Sequence, residues 1–316
     1  MSQSWLSIAQ AGLYAAVAPL SVGVVRWLKA RMQGRRGADP LQMYRDLWKL
    51  LRIRPNVPGS ASGVFQVAPP VVFTCFLLLG YALPMVAVPP GKGMDLLLVV
   101  GLLGLAKFVT TLAAFDAGSP FGPMSGGRQW FVHVLAEPAL LVAIYVFAMI
   151  RSTTNLPLLA TTAGGGSWLV AEPTIPLAIG ALGFVLLAEI GRLPFDNPGT
   201  HLELTMIEEG TKLEYSGRAL ALVMWADAMK LTFGLSLVAF LALPTGPVDL
   251  DSPLPLLVGL GGYLAKLGVL LLLLAWWETR RGKLRLRAIV TPLLLATGVL
   301  LFTLVTLVVS YVQPGT

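Results

Sequence analysis

The chain has 316 residues and a formal net charge of +7, is 56% hydrophobic and only 12% charged, where an ordinary soluble domain carries about 25% charged residues. That composition excludes a soluble globular protein, and without a soluble reading surface the basic balance does not point to nucleic acid. The single cysteine, Cys75, lies in an apolar run and reads as packing. It excludes an internal disulfide and a self-contained cysteine-ligated cluster or zinc site, so any redox centre belongs to a partner chain.

A bilayer-spanning helix needs about 20 mostly apolar residues. Eight stretches qualify, near 6–28, 66–88, 94–115, 129–150, 172–190, 216–243, 253–277 and 289–312. The expected fold is an all-α integral membrane protein, a single transmembrane domain over 1–316 with amphipathic helices on its cytoplasmic surface. The first stretch lacks a basic head region and a small-residue cleavage site and runs into a basic loop, so it reads as a retained helix. Arg26, Lys29, Arg31, Arg35, Arg36, Arg45, Lys49, Arg52 and Arg54 follow it. Later clusters at Arg128, Arg192, Lys212, Arg218 and 280–287 lie on the same side, against Lys92 and Arg151 opposite. The positive-inside bias therefore places cytoplasmic loops near 29–65, 116–128, 190–216 and 278–288, and both termini outside.

In the first of these loops, residues after Pro40 carry helical periodicity, with Leu41, Tyr44, Leu47, Trp48 and Leu51 on one side and Arg45, Lys49 and Arg52 on the other. This predicts an amphipathic helix at the membrane surface. Asp116, at the inner end of the third stretch, is placed to cap the following loop or to pair with Arg128. In the fourth stretch Glu137 lies about half-way down, where an ionisable group costs several kcal/mol and marks function by default. Pro138 after it frees a backbone carbonyl, and His133 stands one helical turn before it, either as a relay or as a neutral interhelical hydrogen-bonding residue. The 151–173 connection reads as an outward loop.

The densest chemistry is in "EIGRLPFDNPGTHLELTMIEEGTKLEYSGR", residues 189–218, where Glu189, Asp196, Glu203, Glu208, Glu209 and Glu214 take six of sixteen acidic residues. Like charges crowded at a membrane boundary raise one another's pKa, as a proton relay needs. Glu189 and Arg192 are spaced to pair on one helix face. Asp196-Asn197-Pro198-Gly199 is turn chemistry, and Thr200 with Glu203 fits a capping box opening a short helix over about 201–215, which also carries His201. Asp227 and Lys230 stand three apart in the sixth stretch, where a neutralising pair is the plainer alternative to a relay. Lys107, Lys230 and Lys266 are the lysines inside spans and the candidate partners if Glu137 serves only a structural pair. No catalytic residue and no metal site is assigned to the chain itself.

Glu189, Arg192, Pro194-Phe195-Asp196, Glu203 and Glu214-Tyr215-Ser216-Gly217 together resemble the signature loop of the complex I membrane subunit (subunit 1, or H, type). Leu41-Gln42, Asp46 and Lys49-Leu50 resemble that family's first cytoplasmic loop, and Arg128 with Glu137 its fourth span. The family usually continues with further glutamates where this chain has Gly199 and His201, and about three extra residues precede Glu214. "THLELTM" and "FDAGSPFG" instead resemble the formate hydrogenlyase and group 4 membrane-bound hydrogenase branch, although Gln129 stands where that branch often has Glu.

The resemblance implies a subunit in the inner membrane of a bacterium or archaeon, with no cofactor of its own. It implies partners too: hydrogenase-like large and small subunits with a nickel-iron centre, an iron-sulfur protein with its clusters, and antiporter-like membrane subunits. Redox chemistry there would be coupled to proton or sodium movement through Glu137, Glu189, Asp196, His201, Glu203, Glu208, Glu209, Glu214, Asp227 and Lys230. Arg192, Asp116, Arg128, Arg35, Arg36, Asp46 and Lys49 would hold the loops or dock partners. Two alternatives stand beside it: a quinone-binding subunit of an NADH:quinone oxidoreductase, and a stand-alone transporter or passive anchor.

Overall fold

The structure is a computed structural model and describes residues 2–86, 94–161, 174–199, 205–243 and 253–312. Hydrocarbon offers backbone amides no partner, so a spanning chain satisfies them within itself, as a helix does. The described residues form α1 (Ser2–Met32), α2 (Gln42–Arg52), α3 (Gly63–Ala82), α4 (Leu96–Asp116), α5 (Phe121–Arg151), α6 (Leu156–Thr161), α7 (Thr174–Glu189), α8 (Gly217–Ala242), α9 (Pro253–Arg280) and α10 (Val290–Val312). Single 3-10 turns lie at Glu209–Lys212 and Leu286–Ile289. This is an all-α integral membrane protein.

Seven of these helices are long and apolar enough to cross a membrane. The other expected span is α7, whose 16 described residues reach about 24 Å, short of a hydrocarbon core of about 30 Å. Pro138 does not end α5, which runs from Phe121 to Arg151.

The bundle is built around α8, 72% of whose apolar window is buried, against 17% for α9 and 22% for α10. Helix α8 packs on α1, α2, α3, α7 and α9. The Tyr14 hydroxyl donates to the Met229 carbonyl at 2.5 Å, tying α1 to α8, and Gly80 lets the Tyr14 ring press against α3. Apolar faces of α9 and α10 are left open in the single chain.

At the surface, α2 forms as expected with its stripe rotated. Met43 and Leu47 are buried, whereas Trp48 is 62% and Leu41 49% exposed. The Arg52 guanidinium lies 4.6 Å over the Trp48 ring, which keeps that indole on the outer face. Asp116 caps α3 rather than pairing with Arg128: its carboxylate accepts from the Ser62 amide at 2.9 Å, the Ser62 hydroxyl at 2.8 Å and the Phe65 amide at 3.1 Å.

The 190–216 segment departs most from expectation. Of the helix anticipated over 201–215, the described part holds only the 3-10 turn Glu209–Lys212. Thr200, His201 and Glu203, with their capping box, lie outside the described residues. The chain does not lie on the surface here: Ile190, Arg192, Leu193, Phe195, Asp196, Met206, Ile207 and Glu208 are all buried, and the 3-10 turn packs against α4 and α5.

Candidate functional site

Folding that loop inward brings distant charges together. Lys107 stands mid-way along α4 and Lys230 mid-way along α8, both buried in apolar surroundings. An isolated ammonium there is very costly, so each needs an anion. Glu208 supplies it to both, its Oε1 accepting from Lys107 Nζ at 2.8 Å and from Lys230 Nζ at 2.6 Å. Asp196 holds Glu208 in place by accepting from its backbone amide at 3.0 Å, and Lys283 reaches the other oxygen of Asp196 at 2.6 Å. Arg128 Nη1 donates to the Met206 carbonyl at 3.1 Å, fastening the loop from α5.

From this centre charged groups run in both directions. Toward the loop, Lys230 lies 3.9 Å from Asp227, Asp227 pairs closely with Lys212, and Lys212 binds Glu209 at 2.9 Å. Across the bundle, Lys107 Nζ lies 3.9 Å from Glu189 Oε1, and Glu189 Oε2 lies 3.1 Å from His133 Nδ1. His133 Nε2 then stands 3.7 Å from Glu137 Oε2. The order Glu209, Lys212, Asp227, Lys230, Glu208, Lys107, Glu189, His133, Glu137 is thus a line of nine ionisable side chains. Glu189 and His133 are almost wholly enclosed, but the Glu137 side chain is 41% exposed. The line opens on the outer face of α5.

Glu189 does not pair with Arg192. Gly191, at φ 63°, ends α7, with the Arg192 amide on the Leu187 carbonyl at 2.8 Å and the Gly191 amide on the Ala188 carbonyl at 3.2 Å. This glycine-capped reversal swings Arg192 off the helix face. Arg192 meets Glu278 at 3.4 Å, and Lys29 meets the same carboxylate at 2.7 Å, joining α1, α9 and the loop. A Cβ at position 191 would run into the Glu208 carboxylate. Gly191→Ala is therefore expected to cost about 1–3 kcal/mol through left-handed strain and to push Glu208 off its lysines, read as a lower thermal midpoint of the assembled complex.

The remaining candidates sit apart. Glu214 is half-buried. Lys266 donates to the Leu243 carbonyl at 2.6 Å, away from the line. Arg35, Arg36 and Lys49 are exposed, and Asp46 accepts from Gln42 at 2.9 Å. Among the described residues no group of three or more His, Cys, Asp or Glu is arranged to hold a metal ion. Sequence reasoning missed Glu278, although an acid inside the apolar, basic-flanked "LLAWWETRR" was the available signal. It also missed Lys29 and Lys283 as its loop's fasteners.

Burial alone would drive the Glu208 carboxyl upward, but Lys107 and Lys230 outweigh it and hold it well below the usual carboxylate range. Burial would likewise lower the Lys212 ammonium, and Asp227 with Glu209 more than reverse that. A carboxyl whose folded pKa is depressed contributes stability fully present above its unfolded value, about 4.3, and lost as pH falls through the folded value. Acid titration of the assembled complex should therefore show a fall in thermal midpoint below about pH 4.3 that is shallower in Glu208→Gln.

Fold and site define a polytopic helical membrane subunit carrying a buried line of alternating acids and bases. The family model described as NADH dehydrogenase matches residues 6–311, and the chain belongs to that family. It is 36% identical over 242 residues to Hydrogenase-4 component C of Escherichia coli (strain K12), covering 76% of this chain and 75% of that one. It is 34% identical over 281 residues to Formate hydrogenlyase subunit 4 of the same organism, covering 88% and 90%. In fold it matches a chain of the membrane-bound sulfane sulfur reductase, an archaeal respiratory membrane complex, with TM-score 0.80 and 19% identity over 96% of this chain and 99% of the other. The chain is a complex I-like membrane subunit of an oxidoreductase.

Proposed function

We propose that the chain is the membrane subunit of a group 4, formate hydrogenlyase-type hydrogenase, which docks the peripheral redox arm and couples electron transfer to movement of protons or sodium across the inner membrane of a bacterium or archaeon. The observation that carries this reading is the continuous line from Glu209 to Glu137. Its steps are hydrogen-bonded contacts or gaps up to 3.9 Å, and a gap of that size is one a single water can bridge. A cavity of about 30 Å³ touches Lys107, Gln129, Glu208, Lys212, Asp227 and Lys230, which is room for about two waters among enough polar partners to hold them. The hydrogenase branch is supported by the two relatives at a third or more identity, a hydrogenase component and a formate hydrogenlyase subunit.

In this mechanism a change in the redox arm alters the charge felt at the loop. Glu208 shifts its share between Lys107 and Lys230, and that shift changes how readily Glu189 and His133 exchange a proton. His133 is suited to the hand-over because one ring nitrogen faces Glu189 and the other Glu137. Glu137 passes the proton to an antiporter-like subunit covering α5. Nickel-iron and iron-sulfur centres belong to partner subunits docked on Arg35, Arg36, Lys49 and the 190–216 loop.

One observation favours quinone reduction instead: a cavity of about 340 Å³ between α1, α2, α8 and the loop. Its wall mixes charged side chains such as Arg26, Arg192 and Lys212 with apolar ones such as Met43, Leu220 and Met224, a lining that admits a quinone's polar head and apolar body as well as water and ions. The deciding experiment is nickel content, with mass-spectrometric identification of co-purifying chains, in a mild-detergent preparation from the native host. Stoichiometric nickel with hydrogenase-like and antiporter-like subunits is the expected result. A nickel-free complex with a quinone-reducing arm would move the assignment to the alternative.

A further inference from the structure

A third cavity, of about 320 Å³, lies between α7, α8 and α9 and is lined by glycine, aliphatic and aromatic residues. Its floor is Leu186, Ile190, Leu235 and Leu274, all buried. One wall carries Gly180 and Gly183, three residues apart on α7, and a Cβ at either would meet nothing within 4 Å. The missing side chains are what makes the groove, since any aliphatic residue there would fill it.

The groove ends at Trp276 and Trp277, at the cytoplasmic end of α9. Trp277 is anchored by its indole N–H on the Leu193 carbonyl at 3.1 Å. Over each ring lies a guanidinium, Arg280 at 4.7 Å from the Trp276 centroid and Arg281 at 4.8 Å from the Trp277 centroid. A guanidinium stacked on an aromatic face keeps its N–H edge free to bind an oxyanion. Arg280, Arg281, Arg285 and Arg287 are all exposed. The acid within this segment, Glu278, is already neutralised by Lys29 and Arg192.

We propose that this groove binds an anionic phospholipid of the cytoplasmic leaflet, one acyl chain lying along Gly180 and Gly183 and the phosphate on Arg280 and Arg281. Charge and volume both suit this occupant. Exposed guanidinium groups next to an apolar slot complement a molecule with an anionic head and a hydrocarbon tail, and basic pockets between helices on this face are where anionic head groups bind. A single hydrocarbon chain fits. The lipid would brace α9 against α7, next to the Glu278 junction that fixes the charged loop.

The test uses the intact complex reconstituted in liposomes with trace phosphatidylglycerol or phosphatidylcholine, each carrying a photoreactive group in its acyl chain. Adducts are mapped by mass spectrometry. Groove residues on α7, α8 and α9 should be labelled at least three-fold more by the phosphatidylglycerol probe. The surface variant Arg280→Gln/Arg281→Gln should remove that preference while leaving the assembly intact, and Gly183→Leu should cut labelling by both probes. Equal labelling by the two probes, an unchanged preference in the arginine variant, or a groove that excludes both lipids because a neighbouring helix crosslinks there would each overturn the proposal.

Discussion

Replacing Lys230 with Met is expected to destabilise the subunit by about 3–5 kcal/mol, the cost of leaving a buried carboxylate without one of its partners. Glu208 accepts from Lys230 at 2.6 Å and from Lys107 at 2.8 Å with its side chain nearly enclosed, so one ammonium cannot hold what two did. The double variant Glu208→Gln/Lys230→Met removes the carboxylate charge with that partner but takes the close anion from Lys107, which keeps Glu189 at 3.9 Å, so it should recover only part of the loss. Thermal unfolding of the reconstituted complex reads both. A single variant as stable as the parent would mean that Glu208 is protonated in the folded protein, and the ion-paired line would fail at its centre.

The second large effect is expected at the other end. Glu137→Gln should leave assembly and thermal midpoint nearly unchanged, within about 0.5 kcal/mol, because the side chain is 41% exposed and its one ion-pair contact is His133 at 3.7 Å. Ion pumping per turnover should fall about 10²-fold, the size of effect that accompanies loss of a positioned proton donor and acceptor. The readout is proton or sodium uptake into liposomes set against hydrogen evolution in the same sample. Unchanged pumping would remove Glu137 from the pathway and leave His133 as a structural partner of Glu189. The two variants separate what holds the line together from what it transmits.

Much of this was legible in the sequence because apolar length is a one-dimensional property. The spans at 94–115, 216–243, 253–277 and 289–312 emerge as α4, α8, α9 and α10 within a few residues. Lys107, Glu137, Glu189, Asp227 and Lys230 stood out as charges in apolar runs, where each demands a reason. Partners close in sequence did too, His133 with Glu137 and Asp227 with Lys230, but distant ones did not, since Lys107 and Glu208 are 101 residues apart. The expected Glu189–Arg192 pair failed because spacing of three assumes a continuing helix, and Gly191 ends it. A polar, turn-rich loop reads as surface, and nothing in one dimension shows that lysines on α4 and α8 draw it inward. Glu278 passed unnoticed for a related reason: among so many arginines it looked like part of a topology signal.

The fastening of that loop has a mechanical consequence. Glu278 on α9 holds Arg192, Lys283 beyond α9 holds Asp196 and the Thr205 carbonyl, and Arg128 from α5 holds the Met206 carbonyl, while Lys107 and Lys230 grip Glu208. Anchor points held from so many directions have little travel, so no long piston stroke is available to Arg192, Asp196 or Glu208. What the loop can carry from a docked partner to the membrane interior is a change in electrical load, felt across a few ångströms by lysines that do not have to move.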